Sequence, residues 1–193
     1  MKQLSEERFL ALIVVCAGLN LGIGFVITAV KLPLYLDSIG TVMATALGGL
    51  WTGMACGILS MITGSTYIPT LWAYAATVAA IALYVRLVRP LGYLSRFLPT
   101  VLFGLGLCVV CAIISAPVTA YVWKGVSLSG TDAVTAFFSA KGLTLLSSVV
   151  LGALSTDPID KLVTSLVAFA LLSRVPARFF ADPVSEEATG STK

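Results

Sequence analysis

Four ionisable side chains stand out because their surroundings are apolar. Asp37 lies in KLPLYLDSIGT, residues 31–41, and Asp157, Asp160 and Lys161 lie in STDPIDKL, residues 155–162. An acid costs roughly 2.5–3.5 kcal/mol at the centre of a membrane helix and less near the interface, so each of these groups needs water, a partner or a ligand. The plainer account of Asp37 is a helix cap, accepting backbone N–H bonds at the positive end of the helix that follows. Capping does not explain why Leu32, Pro33, Leu34, Tyr35 and Leu36 before it are almost all apolar. Such a loop is better folded back over a helical bundle as a lid, with Tyr35 and Asp37 facing what lies beneath.

In the second stretch the helix is expected to break at Asp157-Pro158, because proline removes one backbone donor and clashes with the preceding turn. The freed helix ends can then orient toward a ligand. Two readings stay open. Asp157 and Lys161 are four apart and neutralise each other if the helix is continuous; otherwise Asp157, Asp160 and Lys161 supply hydrogen bonds at a pocket wall. Asn20 is the polar oddity of the first apolar run, bonding a neighbouring helix or reaching the cavity. Trp72, Tyr74, Tyr121 and Trp123 gather near one boundary of the apolar runs, either as interfacial anchors or, for a facing Trp pair, as a stacking surface for a flat ring.

Other chemistries find little support. The chain has no histidine, and Cys16, Cys56, Cys108 and Cys111 all fall inside apolar runs. The Cys108/Cys111 pair therefore lacks partners for a metal site, and the four read as small buried hydrophobes, with no metal or cofactor expected. No GxxxxGK[ST] loop is present, so the chain cannot harvest ATP itself. An enzyme would have to rest on Asp, Lys or Tyr alone, and none is expected.

The elements that position these residues follow from composition. Hydrophobic residues make up 58% of the 193 and charged residues 11%, with a mean hydropathy of +1.01. That is the profile of an integral membrane protein. The first apolar run, 9–30, is long enough to span and leads directly into more apolar sequence, so it is expected to be retained rather than cleaved as a signal. The pattern predicts an all-α bundle of six transmembrane helices, some short or kinked: 9–30, 38–47, 52–63, 70–85, 97–119 and an interrupted 142–173. The second and third are too short to cross ~30 Å of hydrocarbon upright. Gly48, Gly49 and Gly53 mark a tight turn between them, and 123–141 reads as a polar segment. In domain terms this gives an N-terminal segment 1–8, a six-helix membrane domain 9–180 and a disordered tail 181–193.

Basic residues orient the bundle. Lys2, Arg8, Arg86, Arg89, Arg96, Arg174, Arg178 and Lys193 fall on one side, whereas Lys31, Lys124, Lys141 and Lys161 fall on the other. Both termini are then expected in the cytoplasm, and Asp37, Asp132, Asp157 and Asp160 toward the outer face. Along the first span Ala11, Gly18 and Gly22 share one side, and Gly18 with Gly22 makes a GxxxG spacing that admits a second helix, from this bundle or a partner.

Taken together, the six spans, the stretch LPLYLDSIGTVMATALGGLWTGMACGIL, the segment ISAPVTAYVWKGVSLSGTD and the ending LSTDPIDKLVTSLVAFALLSRVP resemble the substrate-binding S components of energy-coupling factor (ECF) transporters. The resemblance covers residue 9 to about residue 180. It implies a multi-pass protein of a prokaryotic cell membrane that captures a vitamin or related micronutrient outside. Its partners would be membrane lipid, a transmembrane T component and two cytoplasmic ATPases, with no nucleic acid. It also implies that the loop after the first span, 31–37, covers the pocket, and that Asp157, Asp160 and Lys161 contact the ligand. Where the family carries AxxxA in the first helix, this chain has Ala11 with Val15 and Gly18 with Gly22. A balance of Asp and Lys among aromatics suits a neutral or zwitterionic heterocycle, a nucleobase or nucleoside-like compound, while a cationic amine held by Asp37 and Trp72 stays open. The rival readings are a freestanding secondary carrier and a non-transporting membrane assembly subunit.

Overall fold

The computed structural model describes residues 6–94 and 96–176, so the expected tail 181–193 lies outside the described residues. Among the described residues there are seven α-helices and no strand. They are α1 (Glu6–Ala29), α2 (Ile39–Gly48), α3 (Leu50–Gly64), α4 (Ala75–Val88), α5 (Phe97–Pro117), α6 (Thr131–Ala140) and α7 (Leu145–Leu172). A 3-10 turn, Leu71–Tyr74, precedes α4, and a widened turn, Val118–Val122, continues α5 past Pro117.

Glu6–Ala29, Leu71–Leu91 and Phe97–Val122 are long and apolar enough to cross a membrane. Of the six expected spans, some short or kinked, only these three are long and apolar enough to cross among the described residues. α2 and α3 have 10 and 15 residues, which at about 1.5 Å per residue reach roughly 15 and 22 Å, short of ~30 Å of hydrocarbon. α7, with 28 residues, is long enough at about 42 Å but carries Asp157, Asp160 and Lys161 near its middle.

Two further expectations change. α7 runs unbroken through Pro158. Proline's fixed φ is compatible with a helix, so the loss is one hydrogen bond and some crowding; burial of Val149, Gly152, Thr156, Asp160, Thr164 and Ala168 along one face on both sides of the proline holds the two halves as one element. The polar segment 123–141 contains α6. Asp132 stabilises its entry by accepting hydrogen bonds from the Ser127 and Leu128 backbone N–H groups, each at 2.8 Å, and from the Ser127 hydroxyl at 2.6 Å.

Polar residues turn inward and large apolar ones outward. Asn20, Thr41, Thr52, Thr100, Asp160 and Thr164 are buried, while Val15, Trp51, Ile62, Leu87, Phe97 and Ile113 are exposed. So apolar an exterior fits a bundle whose surroundings are lipid. The core is formed by Ile39, Val42, Val85, Phe103, Leu107, Ala168 and Leu172. Small residues let the helices close on one another. A Cβ on Gly104 of α5 would lie 3.0 Å from Ser165 Oγ and 3.1 Å from the Lys161 carbonyl of α7, and one on Gly40 of α2 would overlap the Cys16 carbonyl of α1. Gly49 reverses the chain between α2 and α3 at φ +89°, a conformation glycine adopts without strain.

Candidate functional site

The loop between α1 and α2 is fixed by groups distant in sequence. Asp160 Oδ1 accepts hydrogen bonds from the backbone N–H of Tyr35 at 2.7 Å and of Leu36 at 2.8 Å. Its other oxygen, Oδ2, pairs with Lys161 Nζ at 2.5 Å. One carboxylate therefore latches the loop to α7 and neutralises a lysine that is only 5% exposed. The Tyr35 hydroxyl shares a hydrogen bond with Thr131 Oγ1 at 2.7 Å, tying the loop to the start of α6. Leu32 packs so closely on Gly130 that a Cβ there would overlap its carbonyl. Leu36 itself adopts φ 47°, uncommon for a bulky side chain, and its own N–H and that of Tyr35 before it are the two donors to Asp160.

Under this loop is a cavity of about 140 Å3. Asn20 and Gly24 of α1, Asp37 and Ser38 of the loop, Thr41 of α2 and Ser60 of α3 form one side. Tyr67, Tyr74, Cys111, Ser115 and Thr119 form another. Tyr35, Ser127, Ser129, Thr131, Thr156, Asp157 and Lys161 add further polar groups, and apolar side chains such as Leu21, Met61, Ile68, Val78, Ile81 and Val149 fill the rest of the wall. The hydroxyls of Ser127, Ser129 and Thr131 link to one another at 2.8 and 2.7 Å, and Tyr74 OH meets Thr119 Oγ1 at 2.8 Å. Burial raises the Asp37 carboxyl above its usual range, with Lys161 opposing and Asp160 adding to the rise. Burial likewise raises the Tyr35 phenol, so this hydroxyl keeps its proton.

Of the residues singled out from the sequence, Tyr35, Asp37, Tyr74, Asp157, Lys161 and Asn20 line this one cavity. Asn20 also has a full structural role. Its amide nitrogen donates to Thr41 Oγ1 at 3.0 Å and Ser60 Oγ at 3.2 Å, and its oxygen accepts from the Gly40 N–H at 2.6 Å. Asp160 does not line the cavity; it is the latch behind the wall. Trp72 and Trp123 do not line it either. They meet edge to face, ring centres 5.9 Å apart, with Trp72 61% exposed. The lysine pairs with Asp160 beside it rather than with Asp157 one turn back. Ala11, Gly18 and Gly22 lie exposed along α1, and no atom comes within 4 Å of a Cβ built on either glycine.

Sequence reasoning missed Ser38, Tyr67 and the hydroxyl run Ser127, Ser129 and Thr131. The run was visible as SLSGT inside a polar segment, but only the loop contact at Gly130 and the Tyr35 bond bring it to the cavity. Among the described residues no group of three or more His, Cys, Asp or Glu is arranged to hold a metal ion.

The described arginines lie toward the helix ends away from the cavity. Arg8 is near the start of α1, whose other end leads into the covering loop, and Arg86 and Arg89 close α4, which begins beside Tyr74. Arg96 precedes α5 and Arg174 follows α7, while the cavity takes the last turns of α5 and the first half of α7. No protein-family profile, curated protein or solved structure matches the chain.

Proposed function

We propose that the chain is the substrate-capture subunit of an ECF-type importer. One observation carries this reading: a cavity with carboxylate, hydroxyl and aromatic groups set in a largely apolar wall, covered by a loop that is fastened to α7 through Asp160 and to α6 through Tyr35. A surface anchor has no use for a walled cavity with carboxylate, hydroxyl and aromatic groups converging on it, whereas capture of a small molecule requires one. The arginines at the far helix ends support a cytoplasmic assignment for those ends and an outward-facing cavity. The uncovered Gly18 and Gly22 on α1 support close approach of a helix from a T component.

In this reading the ligand reaches the cavity when the loop lifts from Asp160, and loop closure over the ligand favours the complex with the T component. Movement of that component, driven by the ATPases, then releases the cargo inward. The drive toward each state is the difference in ligand affinity between open and closed forms. Native mass spectrometry of the detergent-purified chain, alone and with a panel of vitamins, nucleobases and amines, tests capture. A molecule retained by the wild type and lost on Asp157→Asn is the expected result; retention of nothing overturns it and leaves an assembly subunit as the better reading. Co-purification of a tagged chain with co-expressed T component and ATPases tests the partner assignment.

A further inference from the structure

Resting on the capture reading, we infer that the cargo is a small organic cation, a single ring bearing a protonated amine or amidine held between Asp37 and Asp157. Two aspartates and one lysine face the cavity: Asp37, Asp157 and Lys161. From the sequence they look balanced. The structure unbalances them, because Lys161 Nζ is committed to Asp160 Oδ2 at 2.5 Å, and Asp160 is wholly buried behind the wall with its other oxygen taken by two backbone N–H groups. The lysine's charge is thus matched before either wall carboxylate is counted.

Asp37 and Asp157 then face the cavity with no cation beyond Lys161, which Asp160 already pairs, and Asp157 is only 5% exposed. No arginine and no second lysine lines the cavity. Ionised carboxylates accept hydrogen bonds and offer none, so an anionic ligand meets repulsion there, and beside a neutral one burial favours the protonated acids, as it does for Asp37. A protonated nitrogen supplies both the charge and the donors.

An independent feature points the same way toward a ligand. Ser38, beside Asp37, is 3% exposed, lines the cavity, and its hydroxyl has no hydrogen-bond partner. Buried hydroxyls are rarely left so, and a bound polar group would complete it. The aromatic share of the wall, Tyr35, Tyr67 and Tyr74, suits a cationic ring through its π faces. Size limits the ring count: at about 10–15 Å3 for each enclosed water on the same scale, the cavity holds roughly ten waters, comparable to a one-ring compound.

The test uses three one-ring compounds of nearly equal shape and different charge, benzamidine, benzamide and benzoate, with affinities measured by calorimetry on the purified full chain. The expected result is benzamidine bound about tenfold or more tighter than benzamide, with benzoate weaker still, and that preference largely lost in Asp37→Asn or Asp157→Asn. Benzamide or benzoate bound as well as benzamidine overturns the inference, on wild-type protein alone and independently of how any variant folds. So does unchanged benzamidine affinity in both variants, or binding of none of the three. Native mass spectrometry separates the two failures. A retained neutral or anionic molecule leaves capture standing while the cation falls, whereas retention of nothing removes both.

Discussion

The buried polar clusters around Asn20 and around Asp160 differ in whether their hydrogen-bonding capacity is used. Around Asn20 every side-chain donor and acceptor of the amide is taken, by Thr41, Ser60 and the Gly40 N–H. Around α7, Asp160 is similarly consumed by Tyr35, Leu36 and Lys161, but its neighbours Asp157 and Asp37 face the cavity with a lysine already committed elsewhere. A satisfied cluster fixes helices; one with capacity left over can bind. The difference separates polar groups whose capacity is spent from those with capacity left more sharply than residue type does.

The contrast can be broken most severely at Asp160. Asp160→Ala removes the loop latch and leaves Lys161 buried without its partner, a loss of about 3–5 kcal/mol. Thermal unfolding in detergent should show the largest drop of any single substitution considered, together with loss of ligand retention. A variant as stable as the wild type would remove the latch assignment.

Gly40→Ala strikes the satisfied cluster instead. The added methyl meets the Cys16 carbonyl and Asn20 Oδ1, so α1 and α2 must separate, at about 1–3 kcal/mol. Asp157→Asn sharpens the comparison from the other side: it should lower cation affinity by about tenfold or more while moving the unfolding midpoint less than either preceding change.

Acidity gives a smaller and reversible effect. Because burial raises the Asp37 carboxyl, it takes up its proton at a higher pH than an exposed aspartate. Cation binding should therefore weaken as pH is lowered through that raised value, and Asp37→Asn should flatten this part of the profile. Stability without ligand runs the other way. The folded state holds the proton more tightly than the unfolded one, so the contribution of Asp37 is fully present below its unfolded pKa and is lost as pH rises through the folded one. Unfolding midpoints across that range check the sign. The smallest effect belongs to Trp72→Ala, since that ring packs on Trp123 outside the cavity wall. Ligand affinity should stay within about twofold of wild type, and a larger loss would return the Trp pair to the site.

How much was legible beforehand follows from range. The apolar runs announced helices within a few residues, because a helix in lipid must satisfy its backbone internally and its side chains must be apolar. Asp37 and Asp157 announced themselves because a carboxylate in such a run requires an explanation. α6 escaped notice because ten residues with two threonines, an aspartate and a serine read as polar loop until they are seen lying against α7, where a Cβ on Gly152 would come 2.9 Å from Thr135 Oγ1. Pro158 misled because a local rule was outweighed by packing along the whole helix.

The sequence by itself determined that this chain is helical and apolar, which residues are costly to bury, and that a loop bearing Tyr35 and Asp37 required a protein surface to lie on. Only the tertiary structure decided how the charges are paired. Lys161 had two candidate acids within one turn, Asp157 and Asp160, and local spacing favoured the former. The pairing went to Asp160 in an arrangement where that carboxylate also receives the backbone N–H groups of Tyr35 and Leu36, which lie more than a hundred residues away along the chain. A contact at that separation leaves no local signature, and it is what frees Asp157 to face the cavity.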